Sequence, residues 1–185
     1  MRDMLIFVVI GGGVFCAFLI GSYNSLVAKR NMVRNAFSSI DVNLRKRHDL
    51  IPALVETVKG FAKHEEQTFT RLIEARQEIR SGNLSDSERL RVEEQIGPGM
   101  HRLIAVAEDY PELKSSDHFL HLQRTLNEVE EQISAARRAY NAAVFEINNS
   151  IESYPSNLIA NAFGFQCHDF FEADADSRGS VNVSL

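Results

Sequence analysis

The chain has no tryptophan, only two cysteines and four prolines, and ten glycines among 185 residues. One of the cysteines, Cys16, sits inside an apolar run, so neither a stabilising disulfide nor a thiol-rich metal site is expected. The shortage of Gly and Pro argues against a β-sandwich or a disordered tail. Abundant Glu, Arg, Ala, Leu and Gln argue for long helices. A basic excess is also missing. The net charge is −5, which excludes general nucleic-acid affinity, because phosphate contacts need clustered Lys and Arg. No P-loop, dinucleotide fingerprint or G-x-S-x-G motif is present. The length suits one domain of moderate size with an appendage.

What is present begins with a long uncharged run. Residues 4–28 carry no Asp, Glu, Lys, Arg or His. A helix needs roughly 20 apolar residues to cross about 30 Å of hydrocarbon, and this run is long enough. A cleavable signal peptide would show a basic start and small residues before the cut. Here Arg2 is offset by Asp3, and no A-x-A pattern follows. A lipid anchor on Cys16 would need a small residue before it, where Phe15 stands. Lys29, Arg30 and Arg34 follow the run, with Arg45, Lys46 and Arg47 beyond. Basic residues are retained on the cytoplasmic side, so the expected topology is an outward N-terminus and a cytoplasmic body. Residues 29–59 hold seven basic and three acidic side chains, whereas residues 60–185 hold twelve and 21. The basic half therefore lies beside the membrane, with Lys29, Arg30 and Arg34 as candidate membrane-surface contacts. The plainer account of those charges is stop-transfer signal and solvated helix surface.

Past the run, apolar residues recur every three or four positions: Phe37, Ile40, Leu44, Ile51, Leu54 or Val55, Val58, Phe61, Phe69, Leu72 and Ile79. That spacing predicts a helix from about Tyr23 to about Arg80, with a kink or restart near residues 48–51 because of Pro52. Ser81-Gly82-Asn83-Leu84 is a stop, and Ser85-Asp86-Ser87-Glu88 reads as a capping box. A second helix follows to about Asp109, bent or split at Gly97-Pro98-Gly99. Ser115 or Ser116 caps a third, whose stripe is Phe119, Leu122, Leu126, Val129, Ile133, Ala136, Tyr140, Val144, Ile147, Ile151 and Tyr154. Pro155 ends it, and a short helix over residues 156–163 closes at Gly164. Phe170-Phe171 are expected to dock on the bundle, and residues 180–185 form either an extended strip or a frayed end. Such stripes must bury one another, and short loops impose antiparallel neighbours. The expected fold class is all-α: a transmembrane helix followed by an elongated antiparallel helical bundle.

Catalytic patterns fail on inspection. His64-Glu65-Glu66-Gln67-Thr68 has Thr68 where a zinc protease needs its second histidine. No histidine has Glu three residues before it, as di-iron bundles require. His118 and His121 could share a helical face and chelate a metal, but an exposed pair of this kind is commonplace. The unusual side chains are polar groups in or beside the stripes: Arg47, His48, Asp49, Glu108, Arg137, Arg138, Asn141 and Asn148. Of these, Arg47, His48, Asp49, Glu108, Arg138, Asn141 and Asn148 form a candidate structural polar layer, a network fixing helix register. The sharper alternative is a layer that binds a ligand or partner.

One set of motifs is ordered along nearly the whole chain. It runs through Tyr23-Asn24-Ser25-Leu26-Val27, Phe37-Ser38-Ser39-Ile40-Asp41-Val42, Arg47-His48-Asp49-Leu50-Ile51-Pro52 and Leu54-Val55-Glu56-Thr57-Val58-Lys59. It continues through His64-Glu65, Ala75-Arg76, Ala107-Glu108-Asp109-Tyr110-Pro111-Glu112-Leu113-Lys114 and Phe119-Leu120-His121-Leu122-Gln123. It closes with Glu130, Ala136-Arg137-Arg138-Ala139-Tyr140-Asn141, Val144, Asn148, Tyr154-Pro155-Ser156-Asn157 and Phe170-Phe171-Glu172. In this the chain resembles the bacterial LemA family. The resemblance implies one N-terminal transmembrane helix and a helical-bundle body, with some relatives in the magnetosome membrane. It implies no catalytic residues, and Gly97-Pro98-Gly99 departs from a smoothly helical pattern.

The expectation is an anchor over residues 1–28, a bundle over 29–165 and a docking segment or tail over 166–185. The expected role is a non-enzymatic scaffold or adaptor in the bacterial inner membrane. It would need no cofactor and would engage a protein partner or a second copy rather than nucleic acid or a small-molecule substrate. Lipid-surface binding or membrane shaping is the alternative. Last comes an enzyme or metal protein gathering Arg47, His48, Asp49, His64 and Glu108.

Overall fold

The computed structural model describes residues 1–62, 66–82 and 86–171, apart from the side chains of residues 4, 5, 8, 86, 87, 89, 90 and 94. His64, Ser85 of the expected capping box and the strip 180–185 lie outside the described residues. The helical recurrence produces α1 (Arg2–Lys59), α2 (Glu66–Ser81), α3 (Asp86–Glu108), α4 (Pro111–Lys114), α5 (Asp117–Glu152) and α6 (Ser156–Ala162). There is no strand among the described residues, and the fold is all-α.

Pro52 lies inside α1 and neither ends nor restarts it, so of the kink or restart expected at that point the restart is not found. A proline cannot bond the carbonyl four residues back, which here belongs to His48. That oxygen accepts a hydrogen bond from Arg76 Nε of α2 at 3.0 Å. A side chain from a neighbouring helix satisfies the orphaned acceptor, and α1 continues. It stops short of Arg80, however, at Lys59. There the Val58 carbonyl accepts the N–H groups of both Phe61 and Ala62 at 3.0 Å, drawing the chain out of the helix around Gly60. α2 ends as expected, with Gly82 at φ 69°, a left-handed conformation that glycine adopts without penalty. α3 passes through Gly97-Pro98-Gly99 without a split. A Cβ on Gly99 would stand 2.8 Å from Leu72 Cδ2, so the missing side chain lets α3 lie close against α2.

The chain divides into two units, one of Met1–Ile40 with Ala135–Leu185 and the other of Asp41–Ser134. We call them the proximal and distal units, the proximal one being simply the unit that contains the N-terminus. The distal core joins Ile51, Leu54 and Val58 of α1 with Phe69 and Leu72 of α2 and with Ile96, Met100 and Leu103 of α3. Leu113 of α4 and Phe119 and Leu126 of α5 complete it. The proximal core is smaller: Leu26 and Val33 of α1, Val144, Ile147 and Ile151 of α5, and Ile159 and Ala160 of α6. Each large apolar side chain buried this way stabilises by about 1.5–3 kcal/mol.

The stripe of α5 is buried at Phe119, Leu122, Leu126, Val129, Ile133, Ala136, Val144, Ile147 and Ile151. Tyr140 is half-buried, and Tyr154, beyond the helix end, is 79% exposed. On α1 the register differs from the expected one. Phe37 is exposed and Val33 buried in the same stretch, and Phe61 gives way to buried Ala62.

Candidate functional site

In the distal unit, three helices bring charged side chains into the interior. Arg47 and His48 are consecutive on α1, one turn before Pro52, Glu93 comes from α3, and Glu130 comes from α5. Arg47 Nη2 donates to Glu93 Oε2 at 2.6 Å and reaches the Glu93 backbone oxygen at 3.4 Å. Arg47 Nη1 bonds Glu130 Oε1 at 3.3 Å. His48 Nε2 is 2.9 Å from Glu93 Oε1 and 3.0 Å from Oε2, with only the second contact aligned as a hydrogen bond. The ring therefore straddles the carboxylate. Arg47, His48 and Glu93 are all buried, at 4%, 4% and 6% exposure, so the cluster is largely shielded from water.

Burial is the strongest influence on Glu93 and pushes its carboxyl up. The hydrogen bond from His48, the charges of His48 and Arg47 and the Arg47 hydrogen bond together outweigh it. The net result is a carboxyl held below its ordinary range. Glu93 is thus an ionised acceptor at neutral pH, suited to organising two donors and unsuited to releasing a proton.

Glu93 was not among the residues the sequence singled out. Its signal was positional: Glu93, Ile96, Met100, Leu103 and Ala107 follow one another at steps of three and four, and all are buried. A charge on such a seam demands partners, and the consecutive Arg47-His48 supplies them.

The other expected polar residues lie elsewhere. Asp49 is exposed, 4.0 Å from Arg76 Nη2. Glu108 is exposed at the last position of α3, and Arg138 is exposed on α5. His118 and His121 are exposed near the start of α5. Asn141 and Asn148 belong to the proximal unit, where each grips the main chain of the segment after α6. Asn148 Nδ2 donates to the His168 carbonyl at 2.8 Å, and its Oδ1 accepts the His168 N–H at 2.9 Å. Asn141 does the same with Phe171, at 3.0 and 2.8 Å.

The turn that brings this strap back starts at Gly164, φ 70°. The Phe165 N–H bonds the Ala160 carbonyl at 2.9 Å and the Gly164 N–H bonds that of Asn161 at 3.4 Å, the Schellman pattern of a helix end. Phe165 then lies 5.3 Å from the Arg30 guanidinium. Phe171, as expected of the aromatic pair, docks on α5, 5.2 Å from the Tyr140 ring and 5.7 Å from the Arg137 guanidinium. Phe170 stays exposed. The Tyr140 hydroxyl donates to the Asp169 carbonyl at 3.2 Å; burial first, and then the charge of Asp169, raises its pKa. Of the candidate surface contacts, Lys29 bonds Ser150 Oγ at 2.6 Å and Glu146 at 3.4 Å, Arg30 carries Phe165, and Arg34 is exposed.

The N-terminal part of α1 presents Ile6, Phe7, Val9, Ile10, Val14, Phe15 and Ile20 outward, with no protein against them. The helix is long and apolar enough to cross a membrane, with an 18-residue window of mean hydropathy 1.5. An apolar surface of that extent needs lipid or protein to cover it. A helical body on such a helix, with charges paired inside, is a membrane-associated protein with one candidate spanning helix among the described residues. The chain belongs to the LemA family, whose pattern matches residues 36–185. It is 23% identical to protein LemA of Metamycoplasma hominis, over 97% of this chain and 82% of that one. It is 25% identical to magnetosome protein MamQ 2 of Paramagnetospirillum magneticum, over 93% of this chain and 72% of the relative. The corresponding figures for magnetosome protein MamQ of Magnetospirillum gryphiswaldense are 23%, 85% and 67%. These similarities and the apolar helix together indicate anchoring in a bacterial membrane.

Proposed function

We propose that this protein is a non-enzymatic scaffold: residues 1–28 anchor it in the bacterial inner membrane, residues 29–165 present helical faces to a protein partner or a second copy, and residues 166–185 serve as a docking segment or tail. The observation that carries the reading is how the polar side chains are used. Arg47, His48 and Glu93 are buried against one another, and Asn141 and Asn148 hold backbone. These five side chains are committed to holding helices and strap rather than to a substrate. The names of the relatives support the reading in part, since two of those compared are called magnetosome proteins. On the charge asymmetry around the span, the N-terminus faces outward and the body is cytoplasmic.

Gentle solubilisation of native membranes after in-cell crosslinking tests this. A reproducible crosslinked neighbour, or a ladder of this chain with itself, is expected; recovery as a lone monomer overturns it. Lipid-surface binding ranks second. Arg34 remains exposed for headgroups, but Lys29 and Arg30 are engaged within the proximal unit. Of these three candidates Arg34 alone is exposed, and a single cation contributes on the order of 1 kcal/mol, too little for these three to make surface charge the main role.

A further inference from the structure

The hydrocarbon boundary falls on α1 near residues 21–25. Residues 4–21 span about 27 Å at about 1.5 Å per residue, close to the ~30 Å core of a bilayer, and the first charged side chain beyond them is Lys29. The proximal unit reaches that level. The Phe163 ring lies 4.8 Å from the Tyr23 ring, and a groove is lined by Phe18 and Gly21 of α1 together with Ser150 and Ser156. Lys29, the residue that would otherwise keep this end in water, is turned onto Ser150 and Glu146.

The chemistry of this end matches its position. Between Glu152 and His168 there is no Asp, Glu, Lys, Arg or His. α6 divides its apolar residues: Ile159 and Ala160 face the proximal core, while Leu158 and the following Phe163 are 60% and 65% exposed, and Tyr154 ahead of it is exposed too. An uncharged turn and helix with outward Leu, Phe and Tyr is surface that water disfavours and that the headgroup–acyl boundary accepts.

We propose that α6 and its flanking turns are a second membrane contact, seated in the bilayer interface beside the spanning helix, with Leu158 and Phe163 inserted among the acyl chains and Tyr154 at headgroup level. The occupant of this apolar surface is lipid, because the patch is continuous with the lipid-covered face of α1. The inference rests on the anchor and not on the scaffold reading.

The absence of tryptophan makes a clean test available. Leu158→Trp, Phe163→Trp and, as a control, Met32→Trp are prepared in the full chain and reconstituted in phosphatidylcholine vesicles. Met32 is exposed on α1 and lies about 14 Å beyond Tyr23 at about 1.5 Å per residue. Circular dichroism establishes that each variant keeps its helices; Leu158 and Met32 are both exposed, so neither change disturbs a core. The two α6 reporters are expected to emit to the blue of Met32→Trp and to be shielded from acrylamide. Lipids brominated near the headgroup end of the chain should quench them several-fold more strongly than the control. Acrylamide access equal to that of Met32→Trp overturns the proposal. Blue-shifted emission without bromolipid quenching also overturns it, and points to protein rather than lipid as the cover.

Discussion

Replacing Glu93 by glutamine keeps the side-chain volume and removes one charge from the buried cluster. Arg47 then faces an amide at the place where a carboxylate oxygen now stands 2.6 Å from Nη2, and His48 loses its charged acceptor. Removing one partner of a buried ion pair typically destabilises by about 3–5 kcal/mol, because the remaining charge is left uncompensated. Glu130, whose side chain is 28% exposed and 3.3 Å from Arg47 Nη1, still offers Arg47 a partner, which favours the lower figure, about 3 kcal/mol. For a chain of this size that corresponds to a melting temperature lower by roughly 6–12 °C. The assay is thermal unfolding of the full chain in detergent, followed by circular dichroism, with Glu108→Gln as an exposed control expected within about 0.5 kcal/mol of the parent. The pH dependence gives a second check. Glu93 is depressed in the folded state, so its contribution is present above the ordinary carboxylate pKa and is lost as pH falls through the lower folded value. The gap between parent and Glu93→Gln should therefore be widest near neutrality and narrow once pH drops below the usual carboxylate range. A Glu93→Gln protein as stable as the parent, or a gap indifferent to acid, would refute the cluster's structural role.

Three further outcomes follow from packing and hydrogen bonding. Arg76→Ala leaves the His48 carbonyl without its donor and should cost about 1–2 kcal/mol; in a Pro52→Ala background, where the helix supplies its own N–H, the loss should be smaller, as a denaturation cycle on the four proteins will measure. Gly99→Ala forces its methyl onto Leu72 and should destabilise by about 1–2 kcal/mol, with Leu72→Ala relieving part of the effect in the same melting assay. Asn148→Ala removes both bonds to His168, worth about 1 kcal/mol each, and should expose the strap after α6 to limited proteolysis while unfolding of the distal unit is unchanged.

How far the fold could be read in the residues depended on where each answer lay. The stripe of α5 was legible because period alone decides it, and Ile133, Ala136 and Val144 are buried as their spacing demands. Continuity through Pro52 was not legible, since the donor that rescues the His48 carbonyl arrives from Arg76, in another helix. The stop at Gly60 was missed because the apolar recurrence continues across it and the turn depends on burying Ala62. Arg47 and His48 stood out as polar groups within a stripe, but Glu93 was hidden among neighbouring acidic residues until its place on the α3 seam was seen. Asn141 and Asn148 were legible as unusual; that they clasp main chain was not, because the strap they hold carries no pattern of its own.

Those two asparagines have one more implication. Each engages the N–H and C=O of a single strap residue, as a neighbouring β-strand would, so they sense direction and interval while remaining blind to side-chain identity. Substitutions at Gln166, Cys167 or Asp169 should pass almost unnoticed. Deleting either residue between His168 and Phe171 would let only one of the two grips keep its register, making this segment tolerant of spelling changes and intolerant of a missing letter.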